Sequence, residues 1–152
     1  MTAPLLILGW GNPSRGDDAL GPMLLAALRQ SLLAALGDQV ELLEDYQLQV
    51  EHALDLVGRS RVLLVDASLS AAAPFEVSAL QAAPDSSYTT HSLSPQALLQ
   101  VYQNLQGQTP PPCTLLAIRG SGFELGQPPS PSALAHLAAA LSWVRTTWLP
   151  AG

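Results

Sequence analysis

The sequence predicts a three-layer α/β/α domain on a mostly parallel sheet, and three observations carry the prediction. Continuous runs of branched apolar residues recur at Leu5 to Leu8, Val62 to Val65 and Leu115 to Ile118, each closing in Gly or a charged residue. Strands buried on both faces read this way. Helical patterns lie between these runs, so strand and helix alternate along the chain. At 152 residues, 48% of them hydrophobic, the chain can bury about two-thirds of its surface as one domain spanning 1–152.

A weaker run, Val40 to Leu43, reads as a further parallel strand. Phe75 to Leu80 alternates apolar Phe75, Val77 and Ala79 with polar Glu76 and Ser78, the pattern of a half-exposed and antiparallel edge strand. Among the helices, Leu20, Leu24, Leu28 and Leu32 repeat every fourth residue and stop at Gly37, a favourable residue just past a helix end. Ser94-Pro95 and Ser130-Pro131 each place an N-cap before a proline in the first turn. The first opens a helix with Leu98, Val101 or Tyr102 and Leu105 on one face; the second precedes Leu134, Leu137, Leu141, Val144 and Trp148. A short helix is expected around Ala53 to Val57. The Pro-rich segments Thr109 to Pro112 and Gln127 to Pro131 read as surface loops.

Composition excludes several functions. All six basic residues are scattered arginines in a chain of net charge −6, which disfavours a nucleic-acid groove and an anionic membrane surface. The apolar opening has no basic region before it and ends at Gly9, so a signal peptide is not expected. Other apolar stretches are interrupted well short of the roughly 20 residues that span a bilayer. The single cysteine, Cys113, rules out an internal disulfide framework and suits a reducing, cytoplasmic setting.

Sites in open parallel sheets form beyond the carboxyl ends of the strands, where strand order reverses. The first strand leads into Gly9-Trp10-Gly11-Asn12-Pro13-Ser14-Arg15-Gly16-Asp17-Asp18, the strand at 62 to 65 into Asp66, and the last into Arg119-Gly120. In a 2-1-3 strand order, Asp66 would face the loop carrying Asp17 and Asp18. His91 precedes a helix expected to open at the same edge. Two carboxylates and an imidazole in one crevice suit a divalent transition ion such as Ni or Zn. Asp17 and Asp18 have the alternative of complementing a helix dipole, although Pro22, lacking an amide hydrogen, argues that they belong to the loop. Asp66 has the alternative of capping a turn, and His91 that of an ordinary turn residue. Gly9 and Gly11 fit a tight turn that exposes backbone amides and brings Asn12 beside the crevice; the spacing to Gly16 is wrong for a dinucleotide fingerprint or a P-loop. His52 and His136 are expected outside the site, His136 as a solvated helix residue, and Cys113 as a buried, inert thiol. Arg119 could grip a substrate carbonyl or carboxylate, or pair with a site acid.

Leu8-Gly9-Trp10-Gly11-Asn12, Asp17-Asp18, Gly21-Pro22, Leu63-Leu64-Val65-Asp66-Ala67 and Thr89-Thr90-His91 with Leu98-Leu99 together resemble the hydrogenase maturation endopeptidases, in order and spacing over nearly the whole chain. The resemblance implies a five-stranded, mostly parallel twisted sheet with one antiparallel edge strand, flanked by helices in the phosphorylase/hydrolase-like manner. It also implies removal of a C-terminal extension from the nickel-loaded precursor of a nickel-iron hydrogenase large subunit, by an aspartic-type, nickel-dependent cut. By motif position Asp18, Asp66 and His91 match the metal-contacting and catalytic residues, while Gly9, Gly11, Asn12 and Asp17 match the substrate-binding loop. Many relatives carry Glu where this chain has Asp18, which keeps the carboxylate on a shorter side chain. The nickel would arrive with the substrate, and Zn or Cd could replace it in a crystal.

Two rival readings have distinct signatures. Peptidyl-tRNA hydrolases share the Gly-x-Gly-Asn-Pro opening but need a His-Asn pair where this chain has Asp17-Asp18, and a basic surface. A non-catalytic assembly factor that checks the nickel site would bind the same precursor without cutting it.

Overall fold

Successive residues of the central strands pack into two separate cores, which is why this chain forms a sheet covered on both sides. In the computed structural model, which describes residues 2–84 and 93–150 with the side chains of 32–35 set aside, five strands form one sheet in the order β2-β1-β3-β5-β4. They are β1 (Leu5–Trp10), β2 (Val40–Asp45), β3 (Arg61–Ser68), β4 (Phe75–Ala79) and β5 (Cys113–Arg119). All pair in parallel except β4, which runs antiparallel to β5 at the edge.

The helices are α1 (Leu20–Leu36), α2 (His52–Asp55), α3 (Pro95–Gln106) and α4 (Pro131–Trp143). Leu5 and Ile7 of β1, Leu63, Val65 and Ala67 of β3 and Leu116 and Ile118 of β5 pack with Leu20, Leu24, Leu25 and Leu28 of α1 and Ala133 and Ala140 of α4. The alternate residues Leu6, Leu8, Trp10, Val62, Leu64 and Cys113 pack with Ala53 of α2 and Leu98, Leu99 and Tyr102 of α3. A period of two thus divides β1, β3 and β5 between two cores. Each fully buried leucine contributes roughly 2 kcal/mol of apolar transfer free energy. No helix among the described residues is long and apolar enough to cross a membrane.

Both Ser-Pro devices work as the sequence implies: Ser94 Oγ accepts the Ala97 amide at 3.1 Å and Ser130 Oγ the Ala133 amide at 3.2 Å. Gly37, at φ 51°, follows the last residue of α1. The side chain of Leu32 lies outside the described set. Most of each expected stripe is buried: Leu137 and Leu141 of α4 pack against the core that takes Val144 and Trp148 just beyond it, and Leu98, Val101 and Tyr102 of α3 pack in the other core. Leu134, 42% exposed, and Leu105, 63%, fall outside, whereas Ala133 and Ala140 of α4 are fully buried. On β4 only Phe75 is covered, its ring 6.1 Å from that of Trp143; Val77 and Ala79 face solvent. The helix expected at 53 to 57 is shorter and begins at His52.

Candidate active site

The strand order reverses at β1, whose chain goes to β2 on one side while β3 lies on the other. The crevice expected at that switch point is present as an open cleft of about 480 Å³ lined by Asp18 and Asp66 with Asn12, Arg15, Trp10 and Phe123, and by Tyr46, Gln47 and Leu48 from beyond β2.

Asp18 reaches the cleft from a single 3-10 turn, Gly16–Ala19, that precedes α1. Pro22 therefore falls in the first turn of α1, where a missing amide hydrogen costs nothing. The Asp18 amide donates to the Arg15 carbonyl at 3.0 Å, and the Arg15 amide to the Asn12 carbonyl at 3.1 Å. Asn12 closes the device: its amide donates to Asp18 Oδ2 at 2.8 Å, while its side-chain oxygen accepts the Ser14 amide at 2.9 Å. One asparagine thus bends the loop and steers the carboxylate.

Asp66 enters from the opposite wall. Val65 pairs with Gly9 of β1, so Asp66 stands one residue beyond the last β1–β3 pair, on the same face as Val62 and Leu64. Burial and the neighbouring Asp18 carboxylate push its pKa up to about 7, against the pull of the Ala67 amide. Two like charges facing one cleft, one of them half-buried, repel each other.

Asp17 turns the other way. It is 1% exposed, and its oxygens accept the amides of Ser121 and Ser130, both at 2.6 Å, and the Ser130 hydroxyl at 2.8 Å. Burial alone would raise its pKa, but these bonds and the Gly122 amide outweigh burial and lower it. Its carboxylate fastens the loop after β5 and the cap of α4 to the turn that bears Asp18.

Gly9 belongs to β1 and not to a turn, because the strand runs on through Trp10. A Cβ there would lie 3.2 Å from the Gly21 carbonyl oxygen and 3.0 Å from a methyl of Leu25; the residue permits close packing of α1. Gly11 makes the turn, with φ +149° and its amide donating to the Asp45 carbonyl at 3.1 Å. His91 lies outside the described residues. Leu93, two positions after it, lines the cleft. Among the described residues no group of three or more His, Cys, Asp or Glu could hold a metal ion.

Other side chains settle differently. Cys113 is buried, and burial pushes its thiol up to about 12. Arg119 donates to the carbonyls of Ala71 at 2.8 Å and Gly120 at 3.2 Å. His136 is not a solvated residue: its Nδ1 lies 2.9 Å from the Arg119 carbonyl oxygen, and it is partly buried. Sequence reasoning missed Tyr46, Gln47 and Leu48. The signal is available, since they follow a strand, but β2 runs two residues beyond the apolar run Val40 to Leu43.

No family model and no curated protein sequence matches the chain. Solved structures do. The hydrogenase maturating endopeptidase HybD from E. coli is 25% identical and superposes with a TM-score of 0.75 over 95% of this chain and 90% of that one. The NiFe hydrogenase maturation protease HycI from Thermococcus kodakarensis, 20% identical, has a TM-score of 0.71 over 93% and 90% of the two chains. A hydrogenase 2 maturation peptidase from a Thaumarchaeota archaeon, 23% identical, has 0.64 over 92% and 94%. All three share the fold, over nine-tenths or more of each chain, and in fold this chain is similar to the hydrogenase maturation endopeptidases.

Proposed function

We propose that the protein is a cytoplasmic endopeptidase that removes a C-terminal extension from the nickel-loaded precursor of a nickel-iron hydrogenase large subunit. The observation that carries the reading is the meeting of Asp18 and Asp66 in one open cleft, within a fold shared with a hydrogenase maturating endopeptidase. Two carboxylates that repel each other accept a divalent cation readily, since the cation removes the repulsion. Asp18 and Asp66 supply two donors toward the substrate's nickel, and His91 the third.

Nickel in the docked precursor would supply a Lewis acid beside the scissile carbonyl; the remaining work falls to the chain. A water oxygen bonds to the carbonyl carbon as its proton passes to a carboxylate, a role that suits Asp66, whose pKa is raised to about 7. The carbon–nitrogen bond then breaks, and the proton goes to the leaving amine. Trp10, Phe123 and Leu48 keep the cleft partly apolar, which strengthens charge interactions inside it. This arrangement needs no activated serine or cysteine, and it stays silent until a nickel-bearing substrate arrives.

The test is mass spectrometry of nickel-loaded precursor incubated with wild type, Asp18→Asn, Asp66→Asn and His91→Ala. Loss of a C-terminal peptide with wild type alone supports the reading, whereas full cleavage by all three variants ends it. An intact precursor after prolonged incubation with wild type would make the protein a nickel-site-checking assembly factor instead.

A further inference from the structure

The wall of the cleft formed by Tyr46, Gln47 and Leu48 is held from behind by a histidine that does not itself line the cleft. Leu48 is anchored in the core at 4% exposure, but Tyr46 is 70% exposed. Tyr46 separates the cleft from a neighbouring recess of about 310 Å³ that is also lined by Gly11, Pro13, Pro22, Glu44 and Asp45. A residue so exposed at the rim needs its backbone fixed by something else.

His52 supplies the fixing. Its Nδ1 accepts the Gln49 amide at 2.8 Å, and its own amide donates to the Gln49 carbonyl at 3.0 Å. An amide can only donate, so Nδ1 is bare and Nε2 carries the hydrogen. That Nε2 lies 3.2 Å from Asp45 Oδ2, and the imidazole side chain is only 11% exposed. Asp45 passes the restraint on in two directions: its Oδ1 accepts the Tyr46 amide at 2.7 Å, and its carbonyl accepts the Gly11 amide at 3.1 Å. One ring therefore bridges both ends of the segment that makes the wall and reaches, through Asp45, the turn bearing Asn12.

The reciprocal bonds between Gln49 and His52 resemble a capping box, and a helix cap needs nothing more. The bond to Asp45 is additional. It fixes the ring from its far side and orients the carboxylate that holds the Tyr46 amide.

We propose that His52 is a positioning residue for substrate binding, acting through Asp45 and Gln49 to hold Tyr46–Leu48 as a preformed wall against the precursor segment in the cleft. The inference rests on the proposed endopeptidase activity. A preformed wall lowers the ordering cost of binding and leaves the chemical step alone, so its loss should appear in KM.

Three variants separate the two bonds. His52→Ala removes both, His52→Gln places an amide nitrogen where Nε2 meets Asp45, and His52→Asn retains only an acceptor near Gln49. With nickel-loaded precursor, His52→Ala should raise KM about tenfold with kcat changed less than about twofold, as expected for one or two lost hydrogen bonds in uniform binding. His52→Gln should recover most of the affinity and His52→Asn little of it. In the free protein, hydrogen exchange at the Tyr46 and Gln49 amides should quicken about tenfold or more in His52→Ala and return toward wild type at Tyr46 in His52→Gln. An unchanged KM in His52→Ala, a His52→Gln variant no better than Ala, or a loss of kcat that tracks a loss of melting temperature would overturn the proposal. If wild type leaves the precursor uncut, that failure belongs to the proposed activity, and exchange alone decides whether His52 orders the wall: unchanged Tyr46 exchange rejects it, and the quickening described upholds it.

Discussion

Asp17 grips Ser130 twice, with Oδ1 on its amide at 2.6 Å and Oδ2 on its hydroxyl at 2.8 Å, while that hydroxyl oxygen also accepts the Ala133 amide as the cap of α4. The turn before α1 and the first turn of α4 are thereby one hydrogen-bonded unit, and Asp18 stands on it. Asp17→Ala leaves buried donors on Ser121 and Ser130 without a partner, and we expect a loss of about 3 kcal/mol, measurable by urea unfolding. The acid limb follows the same contact. Because the folded-state pKa of Asp17 is lowered, its contribution is complete above the ordinary carboxylate value near 4 and drains away as pH falls through the folded value. The variant should accordingly lose less of its stability between about pH 4 and pH 2 than wild type does.

Asp66 has the opposite sign. Its pKa is raised to about 7 in the folded protein, so the folded state is favoured by protonation, and stability falls as pH rises from about 4 through 7. In chelator-treated protein at pH 8, Asp66→Asn should be more stable than wild type by something on the order of 2 kcal/mol, or about 4–8 °C in melting temperature. The gain should vanish near pH 4. Cleavage of the precursor should be lost in the same variant, the mark of a residue kept for work at a cost to stability. Equal melts at pH 8 would remove the argument.

Cys113 offers a check on the core of the α2/α3 side. Its thiol is 4% exposed, donates to the Pro111 carbonyl, and is pushed up to about 12 by burial. Iodoacetamide at pH 8 should leave the native mass unchanged over hours, and add one carbamidomethyl group once the chain is unfolded. Fast labelling of the native protein would mean that β5 opens at its start.

Much of this architecture is legible in the sequence because two signals act locally. Branched apolar runs mark strands buried on both faces, and Ser-Pro marks helix starts; the four parallel strands and the caps of α3 and α4 follow from them, and the edge strand β4 from its alternation. The convergence of Asp18 and Asp66 on one cleft follows from strand order alone. What escapes is set by packing partners that no local pattern encodes. Asp17 and Asp18 are adjacent and chemically identical, yet one is sealed by Ser121 and Ser130, more than a hundred positions away, and the other opens to the cleft. His52 looks like a polar-stretch residue until Asp45 and Gln49 are seen to enclose it. Ala133 and Ala140 of α4 are fully buried beside the expected stripe and escape it for a related reason, since proximity to the sheet selects small residues that hydrophobic patterning undervalues.

Gly11 carries the most specific prediction about the loop. Its φ of +149° disfavours any side chain, and a Cβ at this position would run into the main-chain carbonyl oxygen of Asp18, with the Asp18 carboxylate itself 3.3 Å away. Backbone cannot rotate aside as a long side chain can, so Gly11→Ala must shift the turn and with it the bond from the Asn12 amide to Asp18 Oδ2. We expect a stability loss of about 2–4 kcal/mol and a fall in precursor cleavage larger than the unfolded fraction accounts for. Gly37 supplies the control. It also has a positive φ, +51°, but nothing lies within 4 Å of its added Cβ, so Gly37→Ala should cost only about 1–2 kcal/mol and leave cleavage by the folded fraction intact. Measuring both variants at a temperature where each is fully folded separates the two effects: equal activities would show that the Gly11 turn sets stability alone and does not place the Asp18 carboxylate.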